Sequence, residues 1–600
     1  MMRTFILLLL LGIMHTRSFA QQIPIGSWET YFSYRSAKQV IQVKNKIFCA
    51  TYNGLFSIDP SSDQVFILSK AQGLHDVGIS TMSYDSTENL LMLAYRNGNL
   101  DLVYLNENQE PDEIVNWPFL IDSPDLPAAK KVKKILFREN KTYLATNFGI
   151  IVLNAKLKEV LENYRYIGTS GAEVDVTDMT FTNDSLFAAT SQGLLGTSLS
   201  ATINRQYFAN WKTILTPYKP FSISYQNRNL FAGFIGQGIY KRKTGGWELI
   251  YSSPDVHSSF SENLVTLSDK ILVINKEKPD VYENPLFNLL GTTLINNTFF
   301  WTADSRQGLL SNKDGAFKSY SPTVGDTTIA IKKDSSVVDL NGLVWTRLPS
   351  CLGGGISVKN TTTNQQRILS VAAGNGSLPS SAVNSLAVDT DGLIWFASDR
   401  GVGYFIADEI LQSSRPEAIF PVYGQRKLFG NERCNAITVE PGNRKWIGTE
   451  NGLFQFTADG TELLKQFTSQ NSPLPANHIQ HLAFFAETGL LHVETPNGMV
   501  GYRSDASAAR ENLADITIFP NPVRPDFDGN LGINGLMDHS VVKITDLSGR
   551  LVFETHSQGG TASWNLNDYT GKRARSGIYL VIIVSSDKTE KMAGKLAIIN

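Results

Sequence analysis

The stretch Asp339-Leu-Asn-Gly-Leu-Val-Trp345 recurs without gaps as Asp389-Thr-Asp-Gly-Leu-Ile-Trp395, and Glu440-Pro-Gly-Asn-Arg-Lys-Trp446 has the same length. The Asn, Asp and Gly residues tolerate the positive φ angles of a tight turn, and alternating apolar residues flank them, so each copy indicates a β-hairpin. A second hairpin follows the Trp, as in Thr449-Glu-Asn-Gly-Leu-Phe454. Each repeat therefore predicts three or four short antiparallel strands.

The position of the Trp recurs along most of the chain, at spacings of 44, 50, 51 and 46 residues in the second half and of 44, 51, 44 and 44 in the first. A period of roughly 40 to 50 residues with strand content is typical of β-propeller blades. We therefore predict an all-β fold with two β-propellers of blades of about 45 residues, in which the Trp side chains are core residues between blades. The residues in this position are Phe48, Met92, Tyr143, Phe187 and Phe231, then Trp301, Trp345, Trp395, Trp446 and His492.

The repeat is interrupted once. A weaker strand at Lys270-Ile-Leu-Val-Ile274 puts Leu272 in the Trp position, and the 29 residues from there to Trp301 are too few for a full blade. We therefore predict one propeller over residues 21–287 and another over 288–500. The segment Gly26-Ser-Trp-Glu-Thr-Tyr-Phe32 resembles the outer strand at Gly246-Trp-Glu-Leu-Ile-Tyr251, which favours closure of the first propeller by its own N-terminal strand. Strands borrowed by one propeller from the other are the alternative.

The end of the chain departs from the repeat. Residues 501–514 are rich in Ser, Asp, Ala and Arg, a composition typical of a linker. From 515 to 600, alternating strands separated by turns such as Asp546-Leu-Ser-Gly549 predict a small antiparallel β-sandwich.

The N-terminus and the charge balance indicate an exported protein. A basic start at Arg3, an apolar core and small residues before Gln21 predict a secretory signal peptide over 1–20. No later apolar run is long enough to span a bilayer. The 54 basic and 56 acidic residues give a net charge of −2, so the composition points to no nucleic acid and to no field that would attract an ionic substrate.

Motifs of catalysis and of metal binding are missing from the sequence. It has no Gly-x-Ser-x-Gly elbow, phosphate-binding loop, HExxH or CxxC pair, so we predict no enzyme, no cofactor and no metal. His478, His481 and His492 come nearest to a metal cluster, but residues three apart on a strand point to opposite faces. We interpret Asp389-Thr-Asp-Gly392 as a hairpin turn rather than a calcium loop.

A few other side chains invite a functional interpretation. Cys49 and Cys434 lie beside strand-like runs, and we interpret them as small buried residues rather than as a disulfide or a reactive thiol. For Tyr52 and Tyr404, near turns, two interpretations remain, stacking on sugar rings or packing between blades. The sequence identifies no ligand-binding residue.

The C-terminal segment resembles a type A sorting domain of the type IX secretion system of Bacteroidetes. Four blocks carry the resemblance, namely Ile516-Thr-Ile-Phe-Pro-Asn-Pro-Val523, Val542-Lys-Ile-Thr-Asp-Leu-Ser-Gly-Arg550, Ser576-Gly-Ile-Tyr-Leu-Val581 and Lys595-Leu-Ala-Ile-Ile599. The resemblance implies export to the cell surface through that system.

The N-terminal part is similar to the propeller of the PorZ family of the same system. The matching runs are Ile25-Gly-Ser-Trp28, Tyr34, Ala50-Thr-Tyr-Asn-Gly-Leu-Phe-Ser57, Gly73-Leu-His-Asp-Val-Gly-Ile-Ser80, Ala94-Tyr-Arg-Asn-Gly-Asn-Leu-Asp101 and Tyr143-Leu-Ala-Thr-Asn-Phe-Gly-Ile-Ile-Val152. Blade architecture alone does not demand two Asn residues around Gly98 and a following Asp, so the run from Ala94 to Asp101 carries most weight.

This resemblance implies a role that the composition does not. Proteins of this family belong to an outer-membrane attachment complex with the sortase PorU, the barrel protein PorV and PorQ, and are thought to bind anionic lipopolysaccharide and present it to the sortase. The leading expectation is therefore a non-enzymatic binding protein of that complex. The alternative is an ordinary secreted cargo protein, such as a propeller enzyme acting on glycans.

Overall fold

The computed structural model describes residues 23–274, 278–322, 335–408 and 410–599. Antiparallel β-sheets account for nearly all of the regular structure, and most sheets have four strands. The predicted all-β fold is confirmed. The signal peptide predicted over 1–20 lies outside the described residues.

The chain forms two compact units. One unit consists of the described residues of Tyr31–Ile329 together with Ser469–Pro475, and the other takes the described residues of the remainder.

The first unit is a ring of seven blades, in each of which consecutive strands are neighbours in the sheet. Blade 1 closes on blade 7 through the Thr292 hydroxyl, which accepts a hydrogen bond from Val40 N (2.8 Å) and donates one to Val40 O (2.8 Å). The strands of blades 1 to 4 are Ala37–Val43, Lys46–Thr51, Leu55–Ile58 and Val65–Leu68; Ile79–Asp85, Leu90–Tyr95, Leu100–Leu105 and Pro111–Asn116; Val132–Arg138, Lys141–Thr146, Gly149–Asn154 and Glu159–Tyr164; and Val176–Phe181, Ser185–Thr190, Gly193–Ser198 and Lys212–Ile214. Those of blades 5 to 7 are Pro220–Gln226, Asn229–Phe234, Gly238–Lys243 and Gly246–Tyr251; Ser259–Ser261, Leu264–Thr266, Lys270–Val273 and Asp280–Glu283; and Leu289–Asn296, Phe299–Asp304, Gly308–Ser311 and Lys318–Ser319.

The second unit contains four further blades and a sandwich. Its blades 8 to 11 have the strands Ser336–Val338, Leu343–Arg347, Ile356–Asn360 and Gln366–Leu369; Val383–Val388, Leu393–Ser398 and Gly401–Ile406, followed by the hairpin Val422–Tyr423 and Arg426–Lys427; Cys434–Val439, Lys445–Thr449, Leu453–Phe456 and Leu463–Phe467; and His481–Phe485, Leu490–Thr495, Gly498–Arg503 and Trp28–Thr30. The short helical turns among the described residues are Lys70–Gln72, Phe119–Asp122, Thr169–Gly171, Phe208–Asn210 and Ser350–Leu352.

The C-terminal part is a sandwich of two antiparallel sheets, as predicted. A continuous core, including Trp564, Val542 and Val581, fills the space between them. The strands of the two sheets, in spatial order, are Thr517–Phe519, Leu531–Asn534 and Thr561–Trp564, and Leu551–His556, Val541–Asp546, Gly577–Val584 and Glu590–Ile598.

Two boundaries and the position of one strand differ from those expected. The boundary expected at 287/288 falls between blades 6 and 7 of the ring, because Leu272 lies on the third strand of a short blade and not on the second strand. Trp28–Thr30 completes blade 11, with Trp28 opposite Tyr502, and so does not close the first ring. The expected linker 501–514 begins inside the strand Gly498–Arg503, and Ser504 and Ser507 after it are buried.

The repeated Trp position is the second strand of its blade, from Phe48 in blade 1 to His492 in blade 11, except in blade 6. Trp301, Trp345, Trp395 and Trp446 are at most 1% exposed, which confirms them as core residues.

The acidic residue six positions earlier explains the repeated stretch. Asp339 accepts hydrogen bonds from the backbone N–H of Asn341 (2.9 Å) and Leu343 (2.8 Å), which fixes the turn, and from the indole N–H of Trp345 (2.8 Å). Asp389 and Glu440 accept from Trp395 (2.9 Å) and Trp446 (2.8 Å) in the same way.

The second hairpin of the repeat needs its Gly. Gly54 has φ +152°, and a Cβ there would lie 2.6 Å from the carbonyl oxygen of Leu68, so a larger residue would push the fourth strand away. The preceding Thr51 hydroxyl donates to Gly54 O (2.8 Å). Thr449 and Gly452 repeat this arrangement in blade 10.

Candidate functional site

The first strands of the seven blades surround an axial channel. A cavity of about 490 Å³ lies in it, lined by Lys38, Arg96, Lys131 and His257, several Ser hydroxyls, and the apolar Phe221 and Leu290. A neighbouring cavity of about 370 Å³ shares Lys38, Lys131 and His257 and adds residues from the first strands of blades 3 and 4. Residues from all seven blades line the two cavities, so the channel is enclosed by the whole ring.

Two basic side chains of the channel are neutralised by carboxylates. Lys134 lies 3.5 Å from Asp178, and Lys133 forms a close ion pair with Asp175. Asp178 also accepts a hydrogen bond from Ile223 N (3.0 Å), which ties blade 4 to blade 5. These pairs hold neighbouring blades together and leave no net charge.

Three other basic side chains that line the channel are not paired with any carboxylate that the structure describes. Within the part of the chain that the structure describes, Lys38, Arg96 and Lys131 form no ion pair. Burial, together with the positive charges of Arg96 and Lys131, lowers the pKa of Lys38 to about 8. Burial, followed by the charges of Arg96 and Lys133, also lowers the pKa of Lys131, against a weaker opposing effect of Asp175. The cluster is therefore a region of concentrated, uncompensated positive charge.

An aromatic ring organises two of the three cations. The ammonium of Lys38 lies 5.1 Å from the centre of the Tyr52 ring, and the guanidinium of Arg96 lies 5.0 Å from the same centre. Cation–π attraction of this kind is worth about 0.5–1 kcal/mol at exposed sites and positions the charged groups without neutralising them.

The sequence runs that carry the PorZ resemblance converge here. Gly78 N donates to Tyr52 O (2.6 Å), and Arg96 N donates to Gly78 O (3.0 Å), so the three runs meet at one place. Gly78 has φ +79°, and a Cβ there would lie 3.4 Å from the Tyr52 ring. The backbone thus sets the position from which Arg96 extends beside Tyr52.

A buried carboxylate supports this arrangement from behind. Asp101, which is fully buried, accepts hydrogen bonds from the backbone of His75 (2.9 Å), the Tyr95 hydroxyl (2.6 Å) and Asn116 (3.0 Å), and it lies 2.8 Å from Nδ1 of His75. The hydrogen bond to Asp101 raises the pKa of His75. The Asp at the end of Ala94–Asp101 is therefore a structural residue that fixes the loop carrying Gly78.

The other candidate residues turn out to be structural. Tyr404 packs on Trp395 with ring centres 4.9 Å apart, which favours its packing interpretation. His478 pairs with Glu450 at 2.8 Å, and His492 is buried against Phe485, where burial lowers its pKa. Cys49 and Cys434 are buried and free, as predicted.

The described residues show neither a metal cluster nor a membrane-spanning helix. There, no three His, Cys, Asp or Glu side chains are grouped to hold a metal ion. Among the same residues, no helix has the length and apolar character needed to cross a bilayer.

The channel cations are the residues that sequence reasoning missed. Arg96 lies inside a run already singled out, but Lys38 and Lys131 do not, and the net charge of −2 conceals the cluster. The near-neutral net charge, on which the sequence-based expectation rested, does not report this local concentration of positive charge. The sequence feature that could have indicated the cluster is a basic residue at the start of the first strand of a blade. Lys38 is the second residue of Ala37–Val43 in blade 1, and Lys131 directly precedes Val132–Arg138 in blade 3.

Comparisons with known proteins agree with this reading of the chain. Residues 47–212 match the model of the N-terminal β-propeller domain of PorZ of the type IX secretion system, 517–599 match a secretion system C-terminal sorting domain, and 377–400 match a two component regulator propeller. A search of curated proteins gives no significant match.

Among solved structures, PorZ of Porphyromonas gingivalis, described as an essential bacterial surface component of the type IX secretion system, matches with a TM-score of 0.63 and 20% identity, covering 96% of this chain and 100% of that one. The extracellular domain of a putative hybrid two component system from B. thetaiotaomicron matches with a TM-score of 0.29 and 13% identity, covering 97% of this chain and 93% of that one.

The sorting domain marks the chain for export to the cell surface, and the PorZ structure shares its fold. The chain is thus a PorZ-like β-propeller protein of the type IX secretion system with a C-terminal sorting domain.

Proposed function

We propose that this protein is a non-enzymatic component of the type IX attachment complex at the outer membrane. In this role it binds anionic lipopolysaccharide and supports the sortase PorU, alongside PorV and PorQ, in processing and anchoring cargo. The observation that carries the proposal is the combination, on one chain, of a PorZ-type propeller and a sorting domain. The unpaired cations of the channel supply a reason for binding an anionic partner.

A binding protein of this kind acts through local concentration. Holding a lipopolysaccharide donor near the sortase makes the joining step effectively intramolecular, and such linkage raises overall binding without new contacts. No catalytic group is required of the propeller itself.

A deletion strain tests the proposal. We expect its cargo to be transported but to retain sorting domains and to be poorly anchored, and we expect the purified protein to bind anionic lipopolysaccharide. Normal cargo maturation in the deletion strain would refute the proposed role. Digestion of the protein by protease added to intact cells is the expected sign of surface exposure, and protection until lysis would contradict it.

The sorting domain alone also fits an ordinary secreted cargo protein, such as an enzyme acting on glycans. Mass spectrometry of the mature protein separates the two roles, because cargo should lose the residues after Ile516 whereas a retained component keeps them. Turnover of a glycan by purified protein, abolished by one carboxylate substitution, would favour the enzyme.

A further inference from the structure

We infer that Lys38, Arg96 and Lys131 form a binding site for a phosphate group carried on a sugar, inside the channel of the seven-bladed ring. The inference deepens the proposed function, on which the sugar part rests. The phosphate part rests on the channel alone.

The first step of the argument is the cost of the cluster. Like charges in a partly buried cavity repel each other and lose hydration, and no carboxylate among the described residues offsets Lys38 or Arg96. The carboxylates that are near, Asp175 and Asp178, are already held by Lys133 and Lys134. A cluster that weakens the fold in this way is a common feature of binding sites, where a ligand supplies the missing opposite charge.

The second step is the chemistry of the ligand. A phosphate monoester carries a charge of about −1.5 to −2 and three acceptor oxygens, whereas a carboxylate carries one charge and two oxygens. Three cations around one cavity suit the larger charge, and the planar donor group of Arg96 suits paired phosphate oxygens. The hydroxyls of Ser80 and Ser258 in the same lining offer neutral donors.

The third step is size. A cavity of about 490 Å³ lies within the range of roughly 300–1,000 Å³ that is usual for small-molecule sites, so it has room for a sugar phosphate and not only for an ion. Tyr52, together with the apolar Phe221 and Leu290 of the lining, provides surface for the uncharged part of the ligand.

The test is titration calorimetry of the full chain with four probes: inorganic phosphate, a phosphorylated oligosaccharide, the same oligosaccharide after dephosphorylation, and an oligogalacturonate that offers carboxylates. We expect the phosphorylated oligosaccharide to bind most tightly and to weaken as salt rises. If the oligogalacturonate bound as tightly as the phosphorylated oligosaccharide, the inference that the site prefers phosphate to carboxylate would be overturned. If free phosphate bound as tightly as the phosphorylated oligosaccharide, the inference that the site also recognises the sugar would be overturned.

Charge-removing variants locate the site. Lys38→Gln, Arg96→Gln and Lys131→Gln should each weaken the phosphorylated probe about tenfold, as expected for loss of one charge-assisted hydrogen bond. Lys212→Gln makes the same change of charge on an exposed outer strand of the same ring, and should bind like the wild type. Arg96→Lys keeps the charge but loses the planar pair of donors, so it should bind more tightly than Arg96→Gln and less tightly than the wild type.

Thermal melting of each variant shows that it is folded, and binding by the triple variant equal to that of the wild type would overturn the site. Failure of the proposed function looks different: the wild type would bind the phosphorylated probe, and the triple variant would not, although cargo matures normally in the deletion strain.

Discussion

The seven-bladed ring and blades 8 to 11 are built from similar sheets, but among the described residues the ring leaves part of its internal charge unpaired. In the second unit, Lys445 and Asp389 form a 3.0 Å ion pair with both side chains at most 1% exposed. In the ring, Lys38, Arg96 and Lys131 face a cavity and form no ion pair among the described residues. Charges that are paired serve the fold, and charges left unpaired at a cost indicate a partner from outside the chain.

Paired inward charges are also found in the second unit where blade 11 is followed by the sandwich. Asp505 lies 2.7 Å from Arg444 and 3.5 Å from Lys465, and Arg444 also pairs with Glu440. Burial opposes the charge of Asp505, but Arg444 and Lys465 hold its pKa well below its usual value. These inward charges of the second unit are therefore paired with one another.

The largest expected effect tests whether pairing in blades 9 and 10 supports the fold. Asp389→Ala leaves Lys445 buried without its carboxylate and removes the acceptor of the Trp395 indole, so it should cost about 3–5 kcal/mol in the free energy of unfolding. Denaturant unfolding measures it. Asp391→Ala, at an exposed position of the same turn, is the control and should cost less than about 1 kcal/mol. Equal losses would mean that the ion pair contributes nothing.

A smaller effect compares one Trp position across the two units. Trp345→Phe removes the only indole donor to the buried Asp339, whereas the indole N–H of Trp301 has no hydrogen-bond partner in the described structure, because Ile295 stands where the acid would be. Trp345→Phe should therefore cost about 1–3 kcal/mol more than Trp301→Phe. Equal shifts of the melting temperature in the two variants would show that the acid-to-indole bond is dispensable.

The smallest effect concerns Lys38 and depends on pH. Its pKa is about 8 in the folded protein against 10.5 for an unperturbed lysine, so the unfolded chain holds the extra proton between these pH values and stability rises with pH across that window. Lys38→Met should be more stable than the wild type below pH 8, by about 1 kcal/mol because the ammonium is partly solvated, and the difference should vanish above pH 10.5.

Melting curves at several pH values follow this difference between the two proteins. A variant less stable than the wild type at pH 7 would mean that Lys38 has a stabilising partner, and the contrast between the two units would fail.

Local signals in the sequence account for much of the fold. The Trp position predicts the second strand of its blade because burial at that point requires a large apolar residue, and Thr51 with Gly54 predicts the second hairpin. The prediction placed the anchor of blade 6 at Leu272, on its third strand, because the strands of this blade are short and its second strand, Leu264–Thr266, carries no aromatic residue. The partner of Trp28–Thr30 also escaped prediction, since strand pairing depends on register with a distant segment.

The candidate site was harder to predict for a related reason. Lys38, Arg96 and Lys131 come from three different blades, and only the closed ring brings them to one cavity. Their charges are diluted in a nearly neutral chain, and the signal that matters, the absence of carboxylates around them, requires three-dimensional neighbours. The run Ala94–Asp101 pointed to the right place, but most of its side chains support Arg96 rather than bind.

The pairing of Trp28–Thr30 with Gly498–Arg503 also sets an order of events during folding. All the strands of the ring lie between these two segments in sequence, so the ring can form as soon as its own residues have emerged. Blade 11 must wait until nearly the whole chain is present, and closing so long a loop is slow. The first of the described strands is thus among the last to find its place, and a chain cut short before residue 498 leaves Trp28 without the strand it pairs with.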